Sequence, residues 1–331
     1  MLLVLLAGCE LCGDRAVPDR LRATTPVPHI RCLAADPPPA RKWKLGRLGL
    51  ELQGRELIVE GLPARTRVAV FSGPAFSTGS PHAPIGQMAE AKPDLALMLG
   101  GAGDSSDDCA RNLKLLGELE IPTLVLAGGR DSWPHWSSAF DALDGKGRDR
   151  VVDITTLVRI RLGAHVLVPV AGAANGRYAI GDDACGFGKD DLQERVSVLG
   201  PAKRERRWLV SWETPMGGDE RSPARVSGGI DVGSAALADF ARQAGIEGGL
   251  FGWPYAQVMR PRNKDGRVVF DEPLSGLRLV APRIDGPAME RDDGSRQMPG
   301  FAMVVFSASG ASVRAGRERG TGSDTRHRER R

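Results

Sequence analysis

Hydrophobic and polar residues follow a regular pattern through the body of the chain, which begins at Trp43. Residues 48–52 and 56–60 alternate or cluster as strands do, with a turn at Gln53 and Gly54. Short apolar runs then alternate with segments that predict helices, the clearest of which has four leucines at helical spacing. The predicted strands are 67–71, 95–99 and 123–126, and the predicted helices are 84–92, 106–119 and 134–143.

The second half of the chain continues this alternation. It predicts two or three strands within 151–170, helices at 190–199 and 235–244, strands at 208–211 and 249–251, and only strands at 277–281, 301–306 and 312–314. Alternating strands and helices predict an α/β fold, and each early strand ends in a Gly-rich loop. Because sites in α/β sheets are built at the carboxyl ends of the strands, these loops are the candidate functional positions.

The composition is that of a folded protein with a charged end. The 331 residues are 41% hydrophobic and 26% charged, which suits one large α/β domain with tails or two small domains. No apolar run reaches the roughly 18 residues of a membrane span, so an integral membrane protein is not expected. Residues 314–331 account for the whole net charge of +4, with seven Arg against three acids. We therefore expect no nucleic-acid partner, and a disordered Arg-rich tail at 315–331.

The N-terminus carries a second local signal. Residues 1–9 read MLLVLLAGC, which resembles a bacterial lipoprotein signal whose Cys becomes lipidated. The resemblance implies a lipid anchor at Cys9 and, with Leu11 rather than Asp at the second place after it, an outer-membrane lipoprotein of the cell envelope. Pro-rich residues 10–42 would then form a tether to the domain at 43–314. The alternative is a cytosolic protein with an apolar N-terminus.

The other cysteines are even in number and allow three disulfide pairings. They are Cys12, Cys32, Cys109 and Cys185. The favoured pairing joins Cys12 to Cys32 and Cys109 to Cys185. Neither a redox motif nor a zinc site is expected, because no βαβ unit surrounds Cys9 and Cys12 and no second close pair completes a tetrahedral ligand set.

Five loops at predicted strand ends have the order and spacing of a known family. They lie at 70–76, 97–101, 122–131, 209–215 and 249–255. They resemble the Asp-x-His, Gly-Asp, Gly-Asn-His-Asp/Glu, His and Gly-His-x-His loops of the calcineurin-like metallophosphoesterases, which hold two divalent metals and activate a water for attack on a phosphoester. The resemblance covers residues 67–314 and implies a four-layer α/β/β/α sandwich with mixed sheets.

The loops keep the order and spacing of the family's loops but not their metal-binding residues. Of the matching positions only Asp131 is retained, and Arg130 stands in place of the catalytic His. The replaced positions are Gly73, Ala75, Gly101, Gly129, Arg130, Trp212, Trp253 and Tyr255. Because a partial loss would leave buried carboxylates without their cations, the joint loss predicts a degenerate, non-catalytic domain that needs no cofactor. It would act as a binding or structural module for an unidentified envelope protein, with the three aromatic residues filling the former metal site.

Two alternatives remain open. The first is an active phosphoesterase whose two divalent metals are held by other side chains near the loops, namely Asp104, Asp107, Asp108, Asp131, Glu213 and His135. The second is an anion-binding domain without turnover, in which the planar guanidinium of Arg130 binds a phosphate or carboxylate. The competing interpretation of Arg130 is a simple surface ion pair with Asp131 or Asp104.

Overall fold

The computed structural model describes residues 31–73, 82–103, 105–174, 183–218, 222–226, 228–253, 255–291 and 293–314, without the side chains of residues 82, 83 and 255. The predicted lipidation at Cys9, the predicted tail at 315–331, and Cys12, Ala75 and Asp104 lie outside the described residues.

Eighteen strands occur in the described residues. In chain order, β1–β18 are Arg41–Leu45, Leu48–Gln53, Glu56–Glu60, Thr66–Phe71, Leu95–Leu99, Thr123–Leu126, Val151–Asp153, Arg159–Leu162, His165–Val170, Ala173–Ala174, Gly186–Phe187, Arg206–Glu213, Ile246–Trp253, Arg278–Val280, Met289–Glu290, Arg296–Gln297, Ala302–Ser307 and Gly310–Val313. The helices α1–α6 are His82–Glu90, Ser106–Glu118, Trp133–Asp141, Gly145–Arg150, Lys189–Leu199 and Ala235–Gln243, and 3-10 turns occur at Cys32–Ala34 and Tyr255–Gln257.

Two large mixed sheets organise these strands. The six-stranded sheet has the order β18-β17-β4-β5-β6-β7, in which β4 to β7 run parallel and β17 and β18 are antiparallel additions. Every residue of β5 is buried, as expected for a central strand covered on both faces. The eight-stranded sheet has the order β1-β2-β3-β8-β9-β12-β13-β14, with antiparallel pairs at one end and four parallel strands from β9 to β14.

The two sheets pack face to face between two layers of helices. β5 of the smaller sheet contacts β12 of the larger one, and one hydrophobic core runs through both. Helix α2 contacts both α3 and α4 beside the six-stranded sheet, whereas α5 and α6 contact each other beside the eight-stranded sheet. The predicted four-layer α/β/β/α sandwich is therefore confirmed. Within the described residues, no helix combines the length and the apolar character needed to cross a bilayer.

Residues 31–42 correct the predicted boundary of the domain. We expected a tether up to residue 42, but Cys32 and Leu33 are buried and β1 begins at Arg41. The guanidinium of Arg55 donates hydrogen bonds to the carbonyls of Leu33 and Ala35, at 3.0 and 2.9 Å. The sequence pattern missed this because three consecutive prolines precede the strand and hide its alternation. The packed body therefore begins by residue 31.

The disulfide differs from the favoured pairing. Cys32 is bonded to Cys185, with 5.4 Å between the two Cα atoms, so neither residue can bond to Cys12 or Cys109. Cys109 lies buried on α2, with its sulfur 3.5 Å from the carbonyl oxygen of Gly103. The prediction failed because partners 153 residues apart are brought together by the fold and not by their spacing in the chain.

Candidate functional site

The Gly-rich loops meet at one edge of the sandwich. Strands β4, β5 and β6 are parallel neighbours, so the loops that follow them lie side by side. The backbone N–H of Gly73 donates to the carbonyl of Gly100 at 2.7 Å, and a Cβ at Gly73 would lie only 2.3 Å from the carbonyl oxygen of Gly101. Glycine is therefore required where the resemblance places the first Asp ligand.

The indole of Trp212 fills the space between the loops of both sheets. Trp212 lies on β12, and only 4% of it is exposed. A Cβ at Gly100 or Gly128 would lie 2.4 or 2.7 Å from its Cδ1 atom, and one at Gly129 would lie 3.0 Å from Cζ3. The backbones of the second and third loops therefore contact the ring directly, at distances that leave no room for a further side chain.

Trp253 extends this aromatic pair toward the surface. Its ring stacks on that of Trp212, with 5.9 Å between centroids and 18° between planes. Trp253 is half-buried, and its carbonyl accepts a hydrogen bond from Thr214 Oγ1. Tyr255 begins the 3-10 turn that follows, although its side chain is not among those described. The structure therefore brings together two of the three predicted aromatic residues.

Asp131 binds the loop backbones. Its Oδ2 accepts hydrogen bonds from the N–H groups of Gly101 at 2.8 Å and Gly128 at 2.6 Å, and its Oδ1 accepts one from Ala102 at 2.8 Å. Only 1% of the residue is exposed. Both carboxylate oxygens are therefore directed at backbone donors, a role in positioning the second and third loops that the sequence analysis missed.

Glu213 has a similar position in the fourth loop. It is fully buried at the end of β12, and its Oε2 accepts a hydrogen bond from the backbone N–H of Ala174 at 2.8 Å. Ala174 belongs to β10, the short strand that follows β9. Glu213 thus connects the end of β12 to the segment that follows β9, its neighbour in the larger sheet.

The remaining acids and the histidine are dispersed. Asp107 and Asp108 lie in the first turn of α2, where Asp108 accepts hydrogen bonds from Ser105 and Arg111 that lower the pKa of its carboxyl group. His135 lies in the first turn of α3. Among the described residues, no three His, Cys, Asp or Glu side chains form a group suited to a metal ion.

These observations do not fit the two-metal centre that the resemblance implies. Gly73, Gly101 and Gly129 offer no side-chain ligand, and the ring of Trp212 contacts the loop backbones. The one retained acid, Asp131, faces backbone N–H groups. A metal pair needs several carboxylate or imidazole ligands around a shared space, and the described residues form no group of three or more such ligands there.

Arg130 lies at the rim of the site. It is half-buried and follows Gly129, whose backbone lies against the six-membered ring of Trp212. A planar guanidinium at this place is the one cationic group among the replaced positions.

The glycine doublets are the signal from which the tight packing could have been predicted. Gly100-Gly101 directly follows the buried strand β5, and Gly128-Gly129 follows the buried strand β6 after Ala127. Gly100 has a φ of +74° that favours glycine. Two successive residues without side chains indicate a close approach to a bulky group. The resemblance of the fourth loop places Trp212 among the aromatic residues expected to fill the site, but the glycine doublets themselves do not show which residue of the other sheet contacts them.

Comparisons with known proteins agree with the fold. The chain is similar to the crystal structure of TT1561 of Thermus thermophilus, with 11% identity, a TM-score of 0.50 and coverage of 75% of this chain and 97% of that one. A second solved structure matches with 13% identity, a TM-score of 0.51 and coverage of 75% and 98%. GAP50, the anchor in the inner membrane complex of Plasmodium, matches with 13% identity, a TM-score of 0.45 and coverage of 76% and 84%. No protein-family model matches, and no curated protein does. At these identities the first two likenesses show the α/β sandwich fold and nothing finer.

Proposed function

We propose that this chain is an envelope-tethered pseudo-metallophosphoesterase that acts as a non-catalytic binding or structural module. The observation that carries the proposal is the position of Trp212, whose indole packs against the glycine backbones of the second and third loops. A water activated by two metals would need that space together with a set of acidic and imidazole ligands. The loops offer glycine, arginine and tryptophan instead.

The disulfide supports the proposed envelope location. Cys32 and Cys185 are both buried in the domain, and structural disulfides persist mainly in oxidising compartments. The bonded Cys32 also lies near the start of the packed body, where a tether from a lipidated Cys9 would enter it. The lipid anchor itself is tested by mass spectrometry of the membrane-extracted protein, and loss of membrane association in Cys9→Ser is the expected result.

Metal analysis of the full chain, purified without a His tag, tests the absence of catalysis. We expect less than about a tenth of an equivalent of Mn, Fe or Zn after metal soaking, and no hydrolysis of phosphomonoester or phosphodiester substrates. Trp212→Ala is the informative companion, because it removes the ring without adding ligands and should remain metal-free. About two equivalents of bound metal in the unmodified protein would contradict the proposal and favour relocated ligands.

An anion-binding domain is the second candidate, and the half-buried position of Arg130 at the rim favours it. Titration with inorganic phosphate should then show saturable binding that Arg130→Ala abolishes and Arg130→Lys weakens, because a bidentate fork is lost in both. Equal binding by Arg130→Ala would exclude this candidate without affecting the first.

A further inference from the structure

A cleft of about 470 Å³ lies between α2 and α4, at the end of α3. It is lined by residues of α2, by the segment 142–144 and by residues of α4. None of the loop residues that surround Trp212 lines it, so it is distinct from the degenerate site.

The floor of the cleft consists of small groups. Gly117 of α2 and Gly147 of α4 bring the two helices into close contact, since a Cβ at Gly117 would lie 3.0 Å from the Cα of Gly147. Ala110 and Ala142 line the space beside this contact. The two helices are therefore in close contact at Gly117 and Gly147, and the cleft lies beside this contact.

The charged groups of the lining are mostly cations. They are Arg111, Lys114, Lys146 and Arg150, against the carboxylates of Glu118 and Asp144. Two of these groups have structural roles. Asp144 caps α4, accepting a hydrogen bond from the N–H of Gly147 at 2.6 Å, and Arg150 donates to the carbonyl of Gly117 at 3.1 Å.

The two lysines line the cleft from different helices, Lys114 from α2 and Lys146 from α4. Both are exposed, and neither ammonium group has a hydrogen-bond or ion-pair partner within the described part of the chain. The carboxylate of Glu118 likewise has no such partner among those residues, whereas Arg111 pairs with Asp108. The cleft thus presents two uncompensated ammonium groups, a guanidinium, and one carboxylate that can accept hydrogen bonds.

We propose that this cleft binds a phosphorylated polyol of the size of glycerol phosphate. The phosphate would lie between Lys114 and Lys146, whose ammonium groups each supply three donors and a full charge. Glu118 would accept hydrogen bonds from the hydroxyl groups, which a simple anion does not have. Such a glycerophosphoryl group occurs both as a free metabolite and as the headgroup of an anionic phospholipid. The site is independent of the proposed function, because it shares no residue with the degenerate loops.

Calorimetric titration of the full chain, produced without lipidation, tests this proposal with glycerol 3-phosphate as the probe. We expect saturable binding at low salt that weakens as ionic strength rises. The double variant Lys114→Gln/Lys146→Gln should weaken binding by about tenfold or more, because both charge-assisted contacts are lost. The matched control Lys264→Gln removes an exposed lysine from a distant turn and should leave the affinity unchanged.

Two further measurements test the role of Glu118 and the source of the glycerophosphoryl group. Glu118→Gln should reduce the preference for glycerol 3-phosphate over inorganic phosphate. Binding to vesicles of phosphatidylglycerol in phosphatidylcholine is compared with binding to vesicles of phosphatidylcholine alone. If the chain binds only the vesicles that contain phosphatidylglycerol, and the double variant does not, the glycerophosphoryl group is that of a lipid headgroup. The proposal is overturned if neither probe binds, if the double variant binds as the unmodified chain does, or if inorganic phosphate binds as tightly as glycerol 3-phosphate. Circular dichroism of each variant verifies that the fold is retained.

Discussion

Trp212 stands where the resemblance places a metal-binding histidine, and glycine backbone lies against its ring. The contacts with Gly100, Gly128 and Gly129 are so close that ring and glycines form one packing unit. Glycine at these positions is explained by the ring, and the burial of the ring is explained by the glycines. The effect on stability of a substitution at one of these glycines should therefore depend on whether the ring is present, and the reverse should also hold.

A double-mutant cycle between Gly128 and Trp212 tests this dependence. Gly128→Ala places a Cβ 2.7 Å from the Cδ1 of Trp212 and should lower the free energy of unfolding by about 1–3 kcal/mol. Trp212→Ala alone should lower it by about 3–5 kcal/mol through the cavity it leaves. In the Trp212→Ala background the cost of Gly128→Ala should largely disappear, giving a coupling energy of about 1 kcal/mol or more in urea unfolding.

Gly145→Ala is the matched control for the cycle. Its Cβ would meet nothing within 4 Å, so the substitution should change stability little in either background. If Gly128→Ala were equally costly with and without Trp212, the ring would not occupy the space between the loops.

The N-terminal segment shows how one short element is held by contacts spread over the chain. Cys32 bonds to Cys185, and the guanidinium of Arg31 forms an ion pair with the buried Asp191 of α5. The backbone N–H of Cys185 donates in turn to the carbonyl of Asp131, at 3.1 Å. The segment that enters the domain is thereby connected to the residue that positions the second and third loops.

Removing the disulfide should destabilise the whole domain. The double variant Cys32→Ser/Cys185→Ser should unfold with a free energy about 2–5 kcal/mol lower than the unmodified chain, because the bond closes a long loop in the unfolded state. Urea denaturation with and without dithiothreitol measures the difference. Reductant should shift the unmodified chain toward the variant and leave the variant itself unchanged; an unmodified chain insensitive to reductant would contradict the pairing.

Across the whole molecule, an aromatic cluster joins the two sheets. His165 and Trp208 belong to the eight-stranded sheet, and Phe306 of the six-stranded sheet packs on both, with ring centroids 5.1 and 5.5 Å away. The Nε2 of His165 is hydrogen-bonded to the carbonyl of Ser307 at 2.8 Å, and its Nδ1 accepts from the indole N–H of Trp208 at 3.0 Å. A neutral imidazole satisfies both contacts, because only then can Nδ1 accept.

This arrangement predicts acid sensitivity. Burial lowers the pKa of His165, the nearby Arg206 lowers it further, and the hydrogen bond to Ser307 opposes the shift. As the pH falls, His165 in the unfolded chain is therefore protonated near the ordinary histidine pKa of about 6.5, at a higher pH than in the folded chain. The stability contributed by neutral His165 is complete above that pH and is lost as the pH falls toward the lowered folded pKa, at up to about 1.4 kcal/mol per pH unit.

Thermal unfolding between pH 7.5 and pH 5 measures this slope. The melting temperature should fall with pH in the unmodified chain, and His165→Gln should remove much of that dependence because an amide does not titrate in this range. Identical slopes in the unmodified chain and His165→Gln would assign the acid sensitivity to other groups.

The order of strands and helices followed from the sequence because hydrophobic periodicity reports which faces of each element are buried. β5 and β6 occur at the predicted residues, and 151–170 divides into three strands. Two of the elements that were not predicted, β1 and α4, are short and polar, and they contact each other: Trp43 Nε1 donates to the carbonyl of Asp149 at 2.9 Å. A pattern confined to five or six residues carries no period from which to infer such contacts.

The fold class and the loops at which the site lies could be predicted from the sequence, since both depend on local patterns of apolar residues and glycines. The sequence also shows that, of the ligand positions in these loops, only Asp131 keeps an acidic side chain and none keeps a histidine. The tertiary structure was needed to establish that the ring of Trp212 contacts the glycine backbones of the second and third loops, that Cys32 is bonded to Cys185, and that Lys114 and Lys146 line one cleft. These features join residues far apart in the chain, and such contacts arise from the packing of whole layers, which no local pattern records.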